Sequence, residues 1–583
     1  MNATNEPIPW RHLWRLLCFQ PWTYLLVTVT KLLFITLLPQ ATALLMRQFF
    51  DGLTGDAPFV WGINGLVWLL IGIGVARAVA TVVDVVGNRL FRHPLGALLR
   101  KNLLTHLFAR PAAQALPMSP SEAVSRLRDD VIVTVNFLYT TTFFVAHLLF
   151  ALIAVVVMVR IDPWVTVLVF GPLLGVVIIA NRVRKRMERL FQASRATTDQ
   201  ITNFIGEIFG AVQAVQVATA ESPVLAHFQT LNEARRQAMV RSRLLNALLE
   251  AVFRNITSLG AGLILLVAAN AIQSGSFTVG DFVLFAFYLG AINETVHIIG
   301  MTMTELRQAR VSFVRLAAMV QDAPVTTLVT HGPVYQIGPL PTVVHPAKTP
   351  ADQLQLLEVR NLSYHYPSSG PSSGRGIDAI SFTLPRGSLI VITGEVGAGK
   401  TTLLKVLLGL LPCDSGEIDW NGERVADPAT FFVPPRAAYT AQVPRLFSDT
   451  LQENILLGWP ATESALTHAI QTVVLAPDVD QLQQGLATHV GPRGVKLSGG
   501  QIQRAAAARM LVRRAELLVF DDLSSALDVE TEVQIWKSLL QQKGNLTVLA
   551  VSHRPVALAY ADQVIRLAQG RVVSEAGLAQ SHS

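Results

Sequence analysis

The sequence predicts two architectures in series: an α-helical membrane domain of six transmembrane spans, then a cytoplasmic α/β domain of the P-loop class. Three observations carry this. The 583-residue chain is 51% hydrophobic and only 15% charged, against roughly a quarter charged in soluble proteins. Apolar stretches near 22–48, 59–88, 131–159, 162–183, 251–273 and 279–304 each hold close to the roughly 20 residues that cross a bilayer. Downstream, a glycine-rich loop joins an apolar strand-like run to a helical one.

Charge divides the chain the same way. Residues 1–320 carry 27 Lys/Arg against 17 Asp/Glu, and residues 321–583 carry 20 against 23. This is a basic membrane half beside a near-neutral soluble half. The soluble half lacks the clustered positive charge of a nucleic-acid binder, so the lipid bilayer, not nucleic acid, is the expected partner. Cys18 and Cys413 lie far apart and form no disulfide framework or metal pattern, which suits a reducing cytoplasmic face. The N-terminus opens with polar residues and has no signal-peptide form.

Residues 1–20 read as an interfacial elbow helix, because 8–20 mixes Trp, Leu and Phe with Arg and His. The membrane domain follows over 21–321. Its short links, between spans 1–2, 3–4 and 5–6, carry no basic cluster. The long links, 2–3 and 4–5, carry Arg89, Arg92, Arg100 and Lys101, and Arg182, Arg184, Lys185 and Arg186. The positive-inside rule places the long links and both termini in the cytoplasm, as in a multi-pass protein of a bacterial-type inner cell membrane. Few Gly or Pro interrupt the long links, so helices are expected to run out of the spans into the cytoplasm. Lys31, Arg77, Asp84, Arg254, Glu294 and His297 lie in or near the spans, where ionisable groups often line a polar cavity.

Residues 322–355, rich in Pro, Thr and Val without a period, read as a linker. Over 356–577, strand-like pieces (Leu356–Val359, Leu389–Thr393, Leu517–Phe520, Thr547–Val551) alternate with helical ones, the pattern of an α/β nucleotide-binding domain. The strand at 389–393 enters Gly394, Glu395, Val396, Gly397, Ala398, Gly399, Lys400, Thr401 and Thr402, which open a helix. Backbone amides of such a loop curl around phosphate, and the helix adds its positive dipole end. Lys400 suits the β- and γ-phosphates of ATP, and the Thr401 hydroxyl suits Mg2+. The strand at 517–520 ends in Asp521, suited to support Mg2+, and Asp522, placed where an attacking water is polarised. Ser498, Gly499, Gly500 and Gln501 precede a helix expected over 502–511 and make a second phosphate-binding end. Two such domains facing head to tail can sandwich ATP between the loop of one and the second end of the other.

The order of these motifs resembles the ATP-binding cassette (ABC) superfamily, in the exporter-type half-transporter that fuses six spans to one cassette, over nearly all of the chain. The resemblance implies ATP hydrolysis coupled to transport. It also assigns roles. Tyr366 matches the aromatic that stacks on adenine, and Gln442 the glutamine that touches Mg2+ and the water. Asp528 matches the D-loop, and His553 the histidine that contacts the γ-phosphate. Coupling segments are expected near Pro111–Ser119 and Val215–Pro223, where small helices would dock onto the cassettes.

Two positions depart from the family pattern. Asp522 stands where Glu is usual, one methylene shorter, and a general base works by reach first. This leaves two arrangements open: an active homodimer that uses Asp, or a heterodimer whose partner half-transporter supplies the Glu. Pro492 stands where a Glu usually precedes the signature, which puts in doubt the usual cross-contact to a coupling helix. The cargo is expected to be an amphipathic or hydrophobic small molecule, a lipid or a peptide. No peptidase-like domain precedes the first span, so a leader-cleaving peptide exporter is not expected, while export of unprocessed peptide stays open. The alternatives are an importer of a metal chelate on the same fold, and an ATP-gated regulator.

Overall fold

The structure, a computed structural model, describes residues 10–56, 58, 61–110, 118–273, 277–336, 338–366, 376–492, 494–523, 526–541 and 546–577. The chain divides into two compact units, Met1–Leu104 with Met118–Gln336, and Thr105–Pro117 with Ile337–Ser583.

The first unit is helical. A short α1 (Trp10–Leu17) exposes Trp10 and Trp14 and buries Leu13 and Leu16. Then α2 (Pro21–Lys31) passes through a π-helical turn, Leu32–Leu37, into α3 (Leu38–Thr54). After these come α4 (Gly62–Phe108), α5 (Pro120–Ser125), α6 (Val131–Ile161), α7 (Pro163–Gly210), α8 (Val212–Val217), α9 (Glu221–Gln273) and α10 (Val279–Ala317). Pro21–Thr54, Gly62–Phe108, Pro120–Ile161 and Val279–Ala317 are long and apolar enough to cross a membrane. Helices α7 and α9 carry the expected spans 162–183 and 251–273, where most side chains, Arg254 among them, lie outside the described residues. At 47, 48 and 53 residues, α4, α7 and α9 measure roughly 70–80 Å at about 1.5 Å per residue. That is more than twice a bilayer core of roughly 30 Å, so the helices outrun the membrane as the uninterrupted links predict. The chain breaks between α7 and α9 at α8, where Thr219 takes φ +52°. Of the other expected coupling segment, 111–117 lie outside the described residues.

Apolar side chains gain little by leaving lipid, so close packing and polar bonds hold such helices together. Helix α6 packs along α10, α10 along α3, and α7 along α9. Thr36 donates to Ala146 O (2.8 Å) and Gln40 to Phe150 O (3.1 Å). Tyr288 donates to Gln40 Oε1. Where α3 ends and α10 begins, Arg47 pairs with Asp281 at 2.8 Å, and Gly280 N donates to Asp51 Oδ1 at 3.0 Å. A Cβ on Gly280 would lie 2.3 Å from Arg47 O, so only glycine permits this approach.

Lys31 and Asp84 do not fit the expectation of cavity-lining groups. Lys31 is fully buried and its Nζ lies 2.5 Å from Asp84 Oδ2. Tyr139 OH bonds both, at 2.9 and 3.0 Å, and the ammonium sits 3.6 Å from the Phe143 ring centroid. Burial made each charge depend on the other. Arg77, Glu294 and His297 are exposed on α4 and α10.

The expected linker, 322–355, is held at both ends. Asn102 donates to Leu328 O and Thr330 O (3.0 and 2.8 Å), holding the first part on the helical unit. Lys348 pairs with Glu516 (2.5 Å) and Arg436 with Asp352 (2.8 Å), holding the last part on the second unit.

The second unit is α/β. Its elements are β1 (Leu356–His365), β2 (Gly376–Pro385), β3 (Leu389–Gly394), α11 (Lys400–Leu407), β4 (Ser415–Trp420), β5 (Glu423–Arg424), α12 (Pro428–Phe431), β6 (Ala437–Thr440), β7 (Asp449–Thr450), α13 (Leu451–Leu456), α14 (Glu463–Thr472), α15 (Ala476–Gln481), β8 (His489–Val490), α16 (Gly499–Leu511), β9 (Leu517–Asp521), α17 (Val529–Leu540), β10 (Thr547–Val551), α18 (Pro555–Tyr560), β11 (Gln563–Ala568) and β12 (Arg571–Gly577). A six-stranded sheet runs β12-β11-β3-β10-β9-β6, parallel from β11 to β6, and an antiparallel sheet runs β2-β1-β4-β5. Strand periodicity fills both faces of the larger sheet. Ile390, Ile392, Leu517, Val519, Leu549 and Val551 join one core, with the smaller sheet and α11. Leu389, Val391, Leu518, Phe520, Val548 and Ala550 join the other, with α13, α14, α16 and α17.

Candidate nucleotide site

Four strands deliver the site. Across the sheet β3, β10, β9 and β6 are neighbours, and at their carboxyl ends stand the glycine loop, His553, Asp521 with Asp522, and Gln442. Parallel sheets bind ligands at such ends. Strand order therefore gathers residues spread over 394–553.

The loop is a phosphate cradle that side chains would fill. Gly399 precedes α11 with φ +97°, a conformation that favours glycine, and a Cβ there would lie 2.9 Å from Gly376 O. A Cβ on Gly394 would lie 2.1 Å from Leu567 O. The first amides of α11 have no partner within the helix, and its dipole favours an anion. Glu395, Val396 and Gly397 form an exposed crest, while Ala398 is buried and accepts from Gly570 N at 3.1 Å. Lys400 Nζ donates to Gly394 O (2.7 Å) and Glu395 O (2.8 Å). Thr402 is buried, and its hydroxyl meets Tyr366 OH at 3.3 Å.

Beside the loop, the Thr401 hydroxyl donates to Asp521 Oδ1 at 3.0 Å. The other carboxylate oxygen accepts from Tyr439 OH at 3.3 Å. Asp521 is buried, and burial pushes its pKa up, against the pull of the two hydroxyls. Burial likewise pushes the Tyr439 phenol up and keeps it a donor. A hydroxyl and a carboxylate oxygen side by side are hard donors of the kind Mg2+ selects, so the residues present fit that cation.

Asp522 is also buried, with φ +55°, uncommon for a side-chain-bearing residue. Its N–H donates to Val551 O (3.1 Å), and its Oδ1 is buried with no hydrogen-bond partner among the described residues. A buried acceptor left unpaired costs free energy; a water donating to it would relieve that cost. Gln442 and His553 are exposed. Gln442 O accepts from Gln503 at 3.4 Å, and Ser552 N bonds Ile392 O at 3.1 Å, which ties the His553 segment to the loop strand. The Tyr366 ring stands edge-on to Tyr364 at 5.0 Å and is 42% exposed, open to a base.

Ser498–Gln501 belong to other surroundings. The helix begins at Gly499, not at the expected 502, because Ser498 caps it: Ser498 Oγ accepts from Gln501 N and Gln501 Oε1 from Ser498 N. Gln501 Nε2 donates to Asp478 (2.8 Å), and a Cβ on Gly500 would lie 2.8 Å from Ala526 O. Asp528 caps α17 through Thr531 N (2.8 Å). Among the described residues, none of these partners borders the glycine loop, whose neighbours include Gly376, Leu567, Gly570 and Asp521. Pro492 is exposed in a turn closed by Gly494 N to Gly491 O at 3.2 Å.

Sequence reading missed three residues. Tyr439 looks like an ordinary strand aromatic. Asp478 looks like a surface acid. Asp414, which accepts from His365 N at 2.8 Å beside Tyr366, looks like a turn residue. Only β6–β9 pairing, by setting Tyr439 opposite Val519, reveals the first.

Comparison with known proteins agrees with this geometry. A family model described as ABC transporter matches residues 377–525, and one described as ABC transporter transmembrane region matches 25–296. An ATP-dependent lipid A-core flippase of Ralstonia nicotianae is 25% identical over 99% of this chain and 94% of its own length. An uncharacterized ABC transporter ATP-binding protein of Bacillus subtilis, YknV, is 24% identical over 98% and 92%. A solved bacterial Atm1-family ABC exporter with ATP bound shares the fold, with TM-score 0.67, 23% identity, and coverage of 94% of this chain and 95% of that one. The chain belongs to the ABC transporter family, as an exporter-type half-transporter that joins a membrane domain to an ATP-hydrolysing cassette.

Proposed function

We propose that this chain exports an amphipathic or hydrophobic cargo, such as a drug, lipid or peptide, by alternating access in a dimer of half-transporters. The observation that carries the dimer is the separation of the two phosphate-binding ends: among the described residues, the glycine loop and Ser498 share no named partner within one cassette. A second cassette would present its Ser498, Gly499, Gly500, Gln501 and Asp528 to the nucleotide held here. The lipid A-core flippase relative supports an amphipathic cargo. We place the membrane domain at 21–321, the linker at 322–355 and the cassette at 356–577. Both termini and the cassette face the cytoplasm of an inner-membrane protein, on the basic long links.

In this reading Tyr366 stacks on adenine, Lys400 and the loop amides hold the phosphates, and Thr401, Asp521 and Gln442 hold Mg2+. Mg2+ would neutralise charge on the phosphates. Asp522 accepts from the attacking water, and His553 bonds the γ-phosphate. The unpaired Oδ1 of Asp522 favours use of this site over a silent one, and hence a homodimer.

The chain purified alone in lipid, assayed for ATP hydrolysis beside Lys400→Ala and Asp522→Glu, tests this. Turnover lost in Lys400→Ala is expected. Turnover seen only in Asp522→Glu would replace the homodimer by a pair whose partner supplies the Glu. Cargo-insensitive hydrolysis, or cargo movement into the cytoplasmic side, would replace the exporter by the regulator or the importer.

A further inference from the structure

Asp521 is held in an unusual way. The carboxylate is 2% exposed, yet no ion pair reaches it among the described residues. Each oxygen instead has one hydroxyl: Thr401 Oγ1 at 3.0 Å on Oδ1, Tyr439 OH at 3.3 Å on Oδ2. The two donors are not equivalent. A threonine hydroxyl can give its proton to Asp521 and still offer lone pairs to a cation, so Thr401 is expected to act on both. Tyr439 comes from the opposite side, on β6, and has Asp521 as its only side-chain hydrogen bond among the described residues.

Strand pairing sets that reach. β6 and β9 run parallel in strict register, Ala437 opposite Leu517, Tyr439 opposite Val519 and Thr440 opposite Phe520. The phenol therefore leans forward along its strand to meet a carboxylate two residues past its partner. Its ring packs against the core beneath the sheet. Three residues on from Tyr439, the same strand releases Gln442.

We propose that Tyr439 is a positioning residue for the divalent cation of this site: its hydroxyl fixes the rotation of the Asp521 carboxylate, so that one oxygen stays turned toward Thr401 and the cation. This rests on the reading of Asp521 as a cation ligand. It also gives the strand that leads to Gln442 a direct hold on the carboxylate, without any contact of Tyr439 with nucleotide. Phenylalanine at 439 keeps the ring in the core and removes only the hydroxyl.

The test is Mn2+ binding by electron paramagnetic resonance, on the full chain in lipid with a non-hydrolysable ATP analogue. Nucleotide affinity is measured separately in EDTA. Tyr439→Phe is expected to weaken Mn2+ by about three- to tenfold, the equivalent of one neutral hydrogen bond, with metal-free nucleotide affinity and melting temperature unchanged. Asp521→Asn is the control for the underlying reading: wild-type Mn2+ affinity in it would overturn that reading. A large loss in Asp521→Asn beside wild-type Mn2+ affinity in Tyr439→Phe would overturn the proposal alone. Equal losses of Mn2+ and metal-free nucleotide affinity in Tyr439→Phe would make it a packing residue, and also overturn the proposal.

Discussion

Asp84 in the membrane unit and Asp521 in the cassette are both buried carboxylates, and they are stabilised by opposite means. Asp84 has an ammonium 2.5 Å away, itself seated on an aromatic ring. Asp521 has two neutral hydroxyls. A buried charge beside its counter-charge has its field largely neutralised, so a cation gains little there, although Asp84 Oδ1 has no hydrogen-bond partner among the described residues. A buried charge bonded only by neutral donors keeps its field and can serve a cation. On the proposed reading of Asp521, the contrast separates a carboxylate that ties helices together from one that binds a cation, although burial alone would rank them equal.

The comparison breaks most sharply under amide substitution. Asp521→Asn should lower ATP hydrolysis by about a hundredfold or more, the scale of removing a fixed electrostatic partner from a reacting centre. The cassette should melt no lower, since an uncompensated buried charge has gone. A lower melting temperature with normal hydrolysis would make Asp521 a structural residue like Asp84. Lys31→Met is the mirror experiment. It strands Asp84 and should cost about 3–5 kcal/mol, read as a fall in thermal stability in lipid. Lys31→Met with Asp84→Leu should recover most of it. If the single variant melts like wild type and instead changes cargo-stimulated hydrolysis, the pair lines the transport path.

A smaller effect tests the cradle. Gly399→Ala forces a side chain into φ +97° and places Cβ 2.9 Å from Gly376 O. The strain is on the order of 1–3 kcal/mol, so ATP affinity should fall about tenfold while the fold survives. Unchanged affinity would mean that the loop relaxes and that its shape is not what binds phosphate.

What the sequence revealed follows the same division. In the cassette, chemistry and local backbone coincide. Gly394 to Thr402 need one loop shape, and Asp521 must end an apolar strand, so both could be read from residue order. In the membrane unit, 1.5 Å of rise per residue and the unbroken links gave the long helices, but nothing in the string paired Lys31 with Asp84, 53 residues apart. The π turn directly after Lys31 was likewise hidden, since it leaves no mark on an apolar run. Tyr439 was missed for a related reason: its role comes from a neighbouring strand that lies far off in sequence. Where a residue acts through its own segment it was legible; where it acts through a partner set by packing it was not.

The smallest effect concerns Asp528, a carboxylate of a third kind, exposed and, among the described residues, bonded only to its own helix. The backbone amide of Thr531 first, and then its hydroxyl, hold the Asp528 carboxyl below the ordinary value of 3.8. A carboxyl whose pKa is lowered on folding stabilises the fold above its unfolded value. That contribution is lost as pH falls through the lowered, folded value. At neutral pH the cap is therefore fully formed, and Asp528→Asn, which keeps an acceptor for Thr531 N, should leave melting there almost unchanged. Asp528→Ala should lower it slightly, and the gap between Asp528→Ala and wild type should narrow only in strong acid. Hydrolysis adds the decisive contrast. Loss of turnover in Asp528→Asn at unchanged stability would show that the charge is used across a dimer contact, which would move Asp528 from the company of helix caps to that of Asp521.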